Sequence, residues 1–255
     1  MNEIPYNIWR KVGAARSGSG VIFTVGMQAL AKFHHNHPYE VANELMATRL
    51  GLALDLPVPI GCAVKDGDQL CYASLHVATC EETLPKATKA DIAAILANHK
   101  LACGILMFDS WILNADRHAG NISYDEDTQQ TFIFDHGAGL YSASEDAPTG
   151  QRQEMEKNRD RLGLGGHCLR EIESLEWFDY WFNRMLRIPD EFIADTVRIA
   201  TTAGLPTADA PFVTEFLISR RYQLYNIFRR DIDYFTRLKR QLFNPLGFCA
   251  QDYQI

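Results

Sequence analysis

The chain has 255 residues, 47% of them hydrophobic and 22% charged, with a formal net charge of −7. That is the composition of a globular protein of one large domain or two lobes around one cleft. It argues against a nonspecific nucleic-acid binder, whose surface is basic, and against a lipid-surface protein, which anionic membranes would repel.

No run reaches the ~18 apolar residues of a membrane-crossing helix. The start MNEIPYNIWRKVG lacks the apolar centre of a signal peptide. Cys62, Cys71, Cys80, Cys103, Cys168 and Cys249 form no C-x-x-C pair. They read as reduced thiols, so a cytoplasmic protein is expected.

Residues 9–33 read as strands around the turn Arg16-Ser17-Gly18-Ser19-Gly20, with Val21–Val25 a β-branched run and Gln28–Phe33 a further strand. His34, His35 and His37 fall in a polar turn, and a solvated turn explains them better than a metal site. Tyr39–Leu54 has apolar residues at helical spacing among good helix formers, ended by Pro57 and Pro59. Ile60–Val64 and Leu70–Leu75 read as strands joined by the turn Lys65-Asp66-Gly67-Asp68. From Ala87 one mostly buried helix is expected, ending near Asp109. A polar loop follows, then a strand over Gln130–Phe134. Residues 141–166, rich in Gly, Ser and charge, read as a long surface loop. Helices are expected over about 168–186, 189–203 and 210–243. The result is an α+β chain: a small β-rich N-lobe with one helix over 1–78, a larger helical C-lobe over 79–255, and a hinge near 75–82.

The chemistry concentrates in Asn114-Ala115-Asp116-Arg117-His118-Ala119-Gly120-Asn121 and, after the short apolar run, Phe134-Asp135-His136-Gly137. Any one of these polar residues is explained by a capped turn. The set is not. Phosphoryl transfer from ATP needs a carboxylate to orient the attacking hydroxyl, and an Asn and a second Asp to hold Mg²⁺ against the phosphates. Asp116, Asn121 and Asp135 offer these in the order and spacing that kinases use.

Asn-Ala-Asp-Arg-His-Ala-Gly-Asn-Ile followed by Ile-Phe-Asp-His-Gly-Ala-Gly-Leu resembles the HipA-like kinase family. The wider class includes the phosphatidylinositol 3- and 4-kinases, with an Asp-Arg-His-x-x-Asn loop and a later Asp-x-Gly. The motifs span about residues 18–140. The resemblance implies a bilobal protein-kinase-like fold using ATP and Mg²⁺. Residue by residue, it implies that Asp116 is the catalytic base, Asn121 and Asp135 the metal ligands, Lys32 the ATP-phosphate lysine and Glu44 its ion-pair partner. Lys11 is a second lysine of the β-rich part. Ser17, Gly18, Ser19 and Gly20 match the phosphate-covering turn, where a family serine can be autophosphorylated. By glycine content alone, that turn reads equally as a plain hairpin. His118 would structure the loop through Asp135 or a backbone carbonyl, beside the nucleotide.

The pattern departs from ordinary protein kinases in three places. Asp-Phe-Gly is replaced by Asp135-His136-Gly137, and the polar His136 is not expected to pack as a Phe does. There is no G-x-G-x-x-G loop and no Ala-Pro-Glu motif. The implied activity is γ-phosphate transfer to Ser or Thr of a protein substrate, with an antitoxin-like regulatory protein as a further partner. The alternatives are a small-molecule or lipid kinase, an AMP transferase, and a pseudokinase that only binds a partner. The last fits poorly with Lys32, Glu44, Asp116, Asn121 and Asp135 all being present. Arg220, Arg221, Arg229, Arg230, Arg237, Lys239 and Arg240 interleave with Tyr222, Tyr225, Phe228, Tyr234 and Phe235 near the C-terminus. They read as an amphipathic helix with packed aromatics and solvated arginines, in preference to a nucleic-acid surface.

Overall fold

The computed structural model describes residues 9–11, 25–27, 29–33, 39–75, 86–125, 129–141 and 151–239. The Ser17–Gly20 turn, the histidines at 34, 35 and 37, and the hinge residues 76–82 lie outside these.

Strand β1 (Trp9–Lys11) pairs antiparallel with β2 (Val25–Met27). Three further strands, β3 (Ala29–Phe33), β4 (Gly61–Asp66) and β5 (Gln69–Leu75), form an antiparallel sheet in the order β3-β5-β4. Lys32 sits opposite Tyr72 in that ladder. The β4–β5 turn is tight because Gly67, at φ +60°, takes a conformation that costs it no Cβ clash. Helix α1 (Glu40–Ala53) lies against this sheet and is buried along nearly its whole length. Its chain supplies Ala, Leu, Met and Glu where helix propensity is high.

The single helix expected after Ala87 is two: α2 (Lys89–Ala97) and α3 (His99–Trp111), meeting at 101°. Asn98 makes the break. Its side chain caps the new helix by accepting from the Leu101 N–H at 3.1 Å, which is what Asn does at an N-cap. Helix α2 starts at a capping box, with Thr88 and Asp91 exchanging side-chain and backbone bonds of 3.2 and 2.7 Å. From Ala102 to Trp111, α3 is the buried centre of the helical part. At Gly104 it lets the Trp181 ring come so close that a Cβ would stand 2.4 Å from it.

A hairpin of β6 (Ile122–Asp125) and β7 (Gln130–Ile133) follows. Only β7 is foreshadowed by its apolar run. The surface loop expected over 141–166 is overturned in its second part. Residues 151–157 form helix α4 (Gln151–Lys157), with Gln151 and Met155 buried and Leu162 and Leu164 in the core. The composition is polar because only one face of this segment is covered. The helix expected from 168 is α5 (Phe178–Leu186) alone. Leu169, Ile172 and Leu175 are buried from a chain of turns whose spacing imitates a helix. Helices α6 (Asp190–Ala200) and α7 (Ala210–Arg230) close the fold, α6 packing on α1 and α7 on α3, α5 and α6. Among the described residues no single helix is long and apolar enough to cross a membrane. Cys62, Cys71, Cys103 and Cys168 are free thiols.

Arg229, Arg230, Arg237 and Lys239 are solvated as expected, but two arginines of α7 are not. Arg220 and Arg221 are 0% and 2% exposed. Arg220 donates to the carbonyls of Ser110, Asn158 and Arg161 at 2.7, 3.0 and 2.6 Å, tying the end of α3 to the segment after α4. Burial without a bonded carboxylate pulls its guanidinium down to about 9. Arg221 pairs with Asp190 and with the Ile188 carbonyl. The aromatics Phe228 and Phe235 pack as expected.

Candidate active site

The polar loop after α3 hangs on a fully buried ion pair. Arg117 donates its Nε and Nη2 to the two oxygens of Asp109 at 2.9 and 3.0 Å, the bidentate geometry that suits guanidinium and carboxylate. Asp109 also accepts from Asn114 at 2.8 Å and from His167 Nε2 at 2.9 Å. Burial would raise the Asp109 carboxyl, but Arg117 and His167 outweigh it and hold it well below the usual carboxylate range. The remaining Arg117 nitrogen donates to the carbonyls of Asn121 and Phe134 at 2.6 and 2.7 Å. One side chain thus fixes both ends of the motif.

The hairpin register does the rest. Ile122 faces Ile133, and the Phe134 N–H donates to the Asn121 carbonyl at 3.2 Å. Asn121 and Asp135 are therefore brought to the same end of the ladder. The Asn121 amide donates to the Asp116 carbonyl at 2.8 Å and to its carboxylate at 3.3 Å. The Asp116 side chain is 55% exposed, directed away from the core. Asp135 takes φ +59°, a left-handed conformation that Asp tolerates better than most residues.

Lys32 joins the two halves of the chain. Its ammonium lies 2.7 Å from Glu40, 3.1 Å from Glu44, and in ion-pair contact with Asp135. Burial would lower the Lys32 pKa, but the Glu44 and Asp135 charges outweigh it and push it up. Glu44 is itself 3% exposed and 3.6 Å from the His136 imidazole. His136 and Lys32 overcome the effect of its burial and keep it ionised. Beside Lys32 opens a cavity of about 200 Å³, whose walls include Leu30, Val58, Tyr72 and Phe134, with Glu44 and Asp135 at its polar end.

Of the residues singled out by sequence, Lys32, Glu44 and Asp135 meet directly, and Asp116 and Asn121 meet each other. The Lys11 side chain and Ser17, Gly18, Ser19 and Gly20 lie outside the described residues. His118 does not bond Asp135 or a carbonyl. Its ring is 59% exposed, accepts from the Gly120 N–H at 2.9 Å, and stands 3.9 Å from Asp116. The histidine that structures the loop is His167, and no local spacing could have marked it. His136 also differs from expectation. It is 1% exposed and meets Phe108 edge-on at 5.7 Å, filling an apolar position despite its polarity. Glu40, the third carboxylate on Lys32, was not singled out; it is an acid in the first turn of α1, where acids are favoured in any helix.

His167 gives the site a pH dependence. The Leu169 N–H donates to its Nδ1 at 3.1 Å while Nε2 donates to Asp109, so the ring is the neutral tautomer. Burial holds its pKa below the ordinary 6.5 despite Asp109. The folded state thus binds fewer protons than the unfolded chain. Stability is complete above about pH 6.5 and falls as pH drops toward the folded value. Melting temperature is expected to decline from about pH 6.5 downward, and His167→Gln to flatten that decline. A melting temperature constant from pH 7.5 to 5, or a wild-type slope in the variant, would contradict this.

Three comparisons bear on what this arrangement is. A family model described as HipA-like kinase matches residues 26–149, the stretch that contains Lys32 through Gly137. Among solved structures, the Helicobacter pylori proinflammatory kinase CtkA aligns with a TM-score of 0.50 at 16% identity, covering 80% of this chain and 90% of that one. HipA, from the Shewanella oneidensis MR-1 toxin–antitoxin complex of HipA, HipB and operator DNA, aligns with a TM-score of 0.42 at 13% identity. That alignment covers 90% of this chain and 66% of that chain. No curated protein matches significantly. The chain is thus similar over residues 26–149 to the HipA-like kinases, which supports kinase as the class of activity, and its fold is similar to that of CtkA.

Proposed function

We propose that the protein is an ATP- and Mg²⁺-dependent HipA-like kinase that transfers the γ-phosphate to a Ser or Thr hydroxyl of a protein. The observation that carries the reading is the single ammonium of Lys32 held between Glu44 of the helix and Asp135 of the motif. Kinases use such a lysine–glutamate pair to fix a lysine on the nucleotide phosphates, beside the aspartate that takes the metal. In this reading the cavity lined by Leu30, Val58 and Tyr72 receives the base. Lys32, oriented by Glu44, meets the phosphates. Asp116 orients the acceptor hydroxyl and takes its proton. A β-rich lobe over 1–78 and a helical lobe over 79–255 flank the cleft. A cytoplasmic location and a regulatory protein partner go with the family resemblance.

The residues suit the metal. The cleft offers oxygen donors, the carboxylate of Asp135 and the amide oxygen of Asn121, and among the described residues three carboxylates, Glu40, Glu44 and Asp135, surround the Lys32 ammonium. Among the described residues no cluster of three or more His, Cys, Asp or Glu forms a closed cage. Mg²⁺ asks for none, since it binds through one or two carboxylates plus substrate phosphates. When bound it would neutralise charge on the phosphate oxygens.

ATP affinity is therefore expected to tighten on the order of tenfold or more when Mg²⁺ replaces EDTA, and Asp135→Asn to abolish most of that gain. Calorimetry showing equal affinity with and without Mg²⁺ would overturn the ligand assignment.

A further inference from the structure

We propose that Asn43 is a positioning residue that sets Asp135 relative to α1, the helix carrying Glu44. The proposal rests on the nucleotide-cleft reading above and deepens it. Asn43 is 0% exposed, and both halves of its amide are spent on the turn that follows Asp135. Its Nδ2 donates to the Gly137 carbonyl at 2.9 Å, and its Oδ1 accepts from the Tyr141 N–H at 3.2 Å.

The turn needs such a clamp. It is bracketed by two non-glycine residues in the left-handed region, Asp135 at φ +59° and Leu140 at φ +52°. Such conformations carry backbone strain that surrounding contacts must offset. The turn's other backbone bonds, Gly139 N–H to His136 and Leu140 N–H to Ile112, hold it to itself and to the end of α3. Through its backbone bonds to Asn43, it is held to α1.

The neighbours of Asn43 on the helix complete the grip. Glu40 is one turn from both Asn43 and Glu44, at i,i+3 and i,i+4, while Glu44 is the residue next to Asn43. Glu40 packs so closely on Gly137 that a Cβ there would stand 2.4 Å from its Cγ. Glu44 approaches His136 at 3.6 Å. Three side chains of α1, Glu40, Asn43 and Glu44, therefore meet the segment from His136 to Tyr141, and Lys32 binds Glu40, Glu44 and Asp135 together. In this geometry Asp135 and Glu44 keep one spacing, so losing the clamp should weaken metal-assisted nucleotide binding before it weakens nucleotide binding itself. An amide is required. In Asn43→Asp, a carboxylate oxygen would face the Gly137 carbonyl.

The test uses purified full-length protein and measures the ATP dissociation constant across a Mg²⁺ series and in EDTA. In Asn43→Ala and Asn43→Asp the Mg²⁺ concentration giving half the tightening is expected to rise roughly tenfold, the usual effect of losing a group that orients a ligand. Affinity in EDTA should stay within about twofold. Ile193→Ala, a core truncation on α6 where Ile193 is 0% exposed, should lose stability yet keep the wild-type Mg²⁺ dependence. Asn43 variants that fold and keep that dependence overturn the proposal. If they do not fold, hydrogen exchange on the unmodified protein decides. The Tyr141 amide should exchange as slowly as the buried amides of α1, and exchange orders of magnitude faster overturns the clamp. A wild type whose ATP affinity ignores Mg²⁺ overturns the cleft reading itself.

Discussion

Asp116→Ala is expected to abolish phosphoryl transfer while leaving the protein folded. The carboxylate is 55% exposed and, among the described residues, accepts only from the Asn121 amide, at 3.3 Å. Removing an exposed side chain with so little attached to it typically changes stability by about 0.5 kcal/mol or less. Its chemical role has no substitute nearby. His118, 3.9 Å away, is anchored to the Gly120 N–H rather than to the position Asp116 occupies. A positioned general base contributes on the order of 10²–10⁴-fold, so turnover should fall by at least that factor with an unchanged melt. Wild-type turnover in a folded Asp116→Ala protein would remove Asp116 from the mechanism.

Arg117→Ala is expected to do the opposite, unfolding the site rather than silencing it. The guanidinium is fully buried, as is its partner Asp109. Taking it away leaves a buried carboxylate with only the Asn114 and His167 donors, and strips a bond from the carbonyls of Asn121 and Phe134. Breaking a buried pair from one side costs about 3–5 kcal/mol. For a chain of this size that lowers the melting temperature by on the order of 10 °C. The double variant Arg117→Ala/Asp109→Leu removes the stranded charge and should recover part of the loss. A melt for Arg117→Ala within a degree or two of wild type would show that the pair does not hold the loop. Equal melts for the single and double variants would show that the stranded charge is not the cause.

The contrast between these variants shows why part of the site was readable and part was not. Asp116, Asn121 and Asp135 are set by a loop and a hairpin, so their relation is nearly local and survives as a spacing. Lys32 and Glu44 also lie close in sequence, on a strand and the helix that follows it. Asp109 was visible only as a helix end, because its partners Arg117 and His167 reveal it only once the chain has folded back. His167 lies 58 residues from the carboxylate it bonds. Glu40 was hidden differently: a first-turn acid has an ordinary explanation, and only the folded chain shows that it shares Lys32 with Glu44. Arg220 was misread because a basic residue on an amphipathic helix is normally solvated. Here the carbonyls of the turns after α4 take the place of water. The missed helix α4 and the break at Asn98 have a common cause. Composition describes a segment's average polarity, whereas burial of one face and a single capping side chain decide its structure.

The proposed transfer of the γ-phosphate of ATP can be followed by label. The most direct measurement is incubation of the protein with Mg²⁺ and either γ-labelled or α-labelled ATP, in parallel for wild type and Asp116→Ala, followed by mass spectrometry of the protein and of any added acceptor. The account predicts label transferred from γ-labelled ATP only, with the mass of one phosphate, and none from the Asp116→Ala protein. Transfer of the α label would show an AMP transferase, and equal γ transfer from the Asp116→Ala protein would place the chemistry elsewhere. Either result would contradict the account.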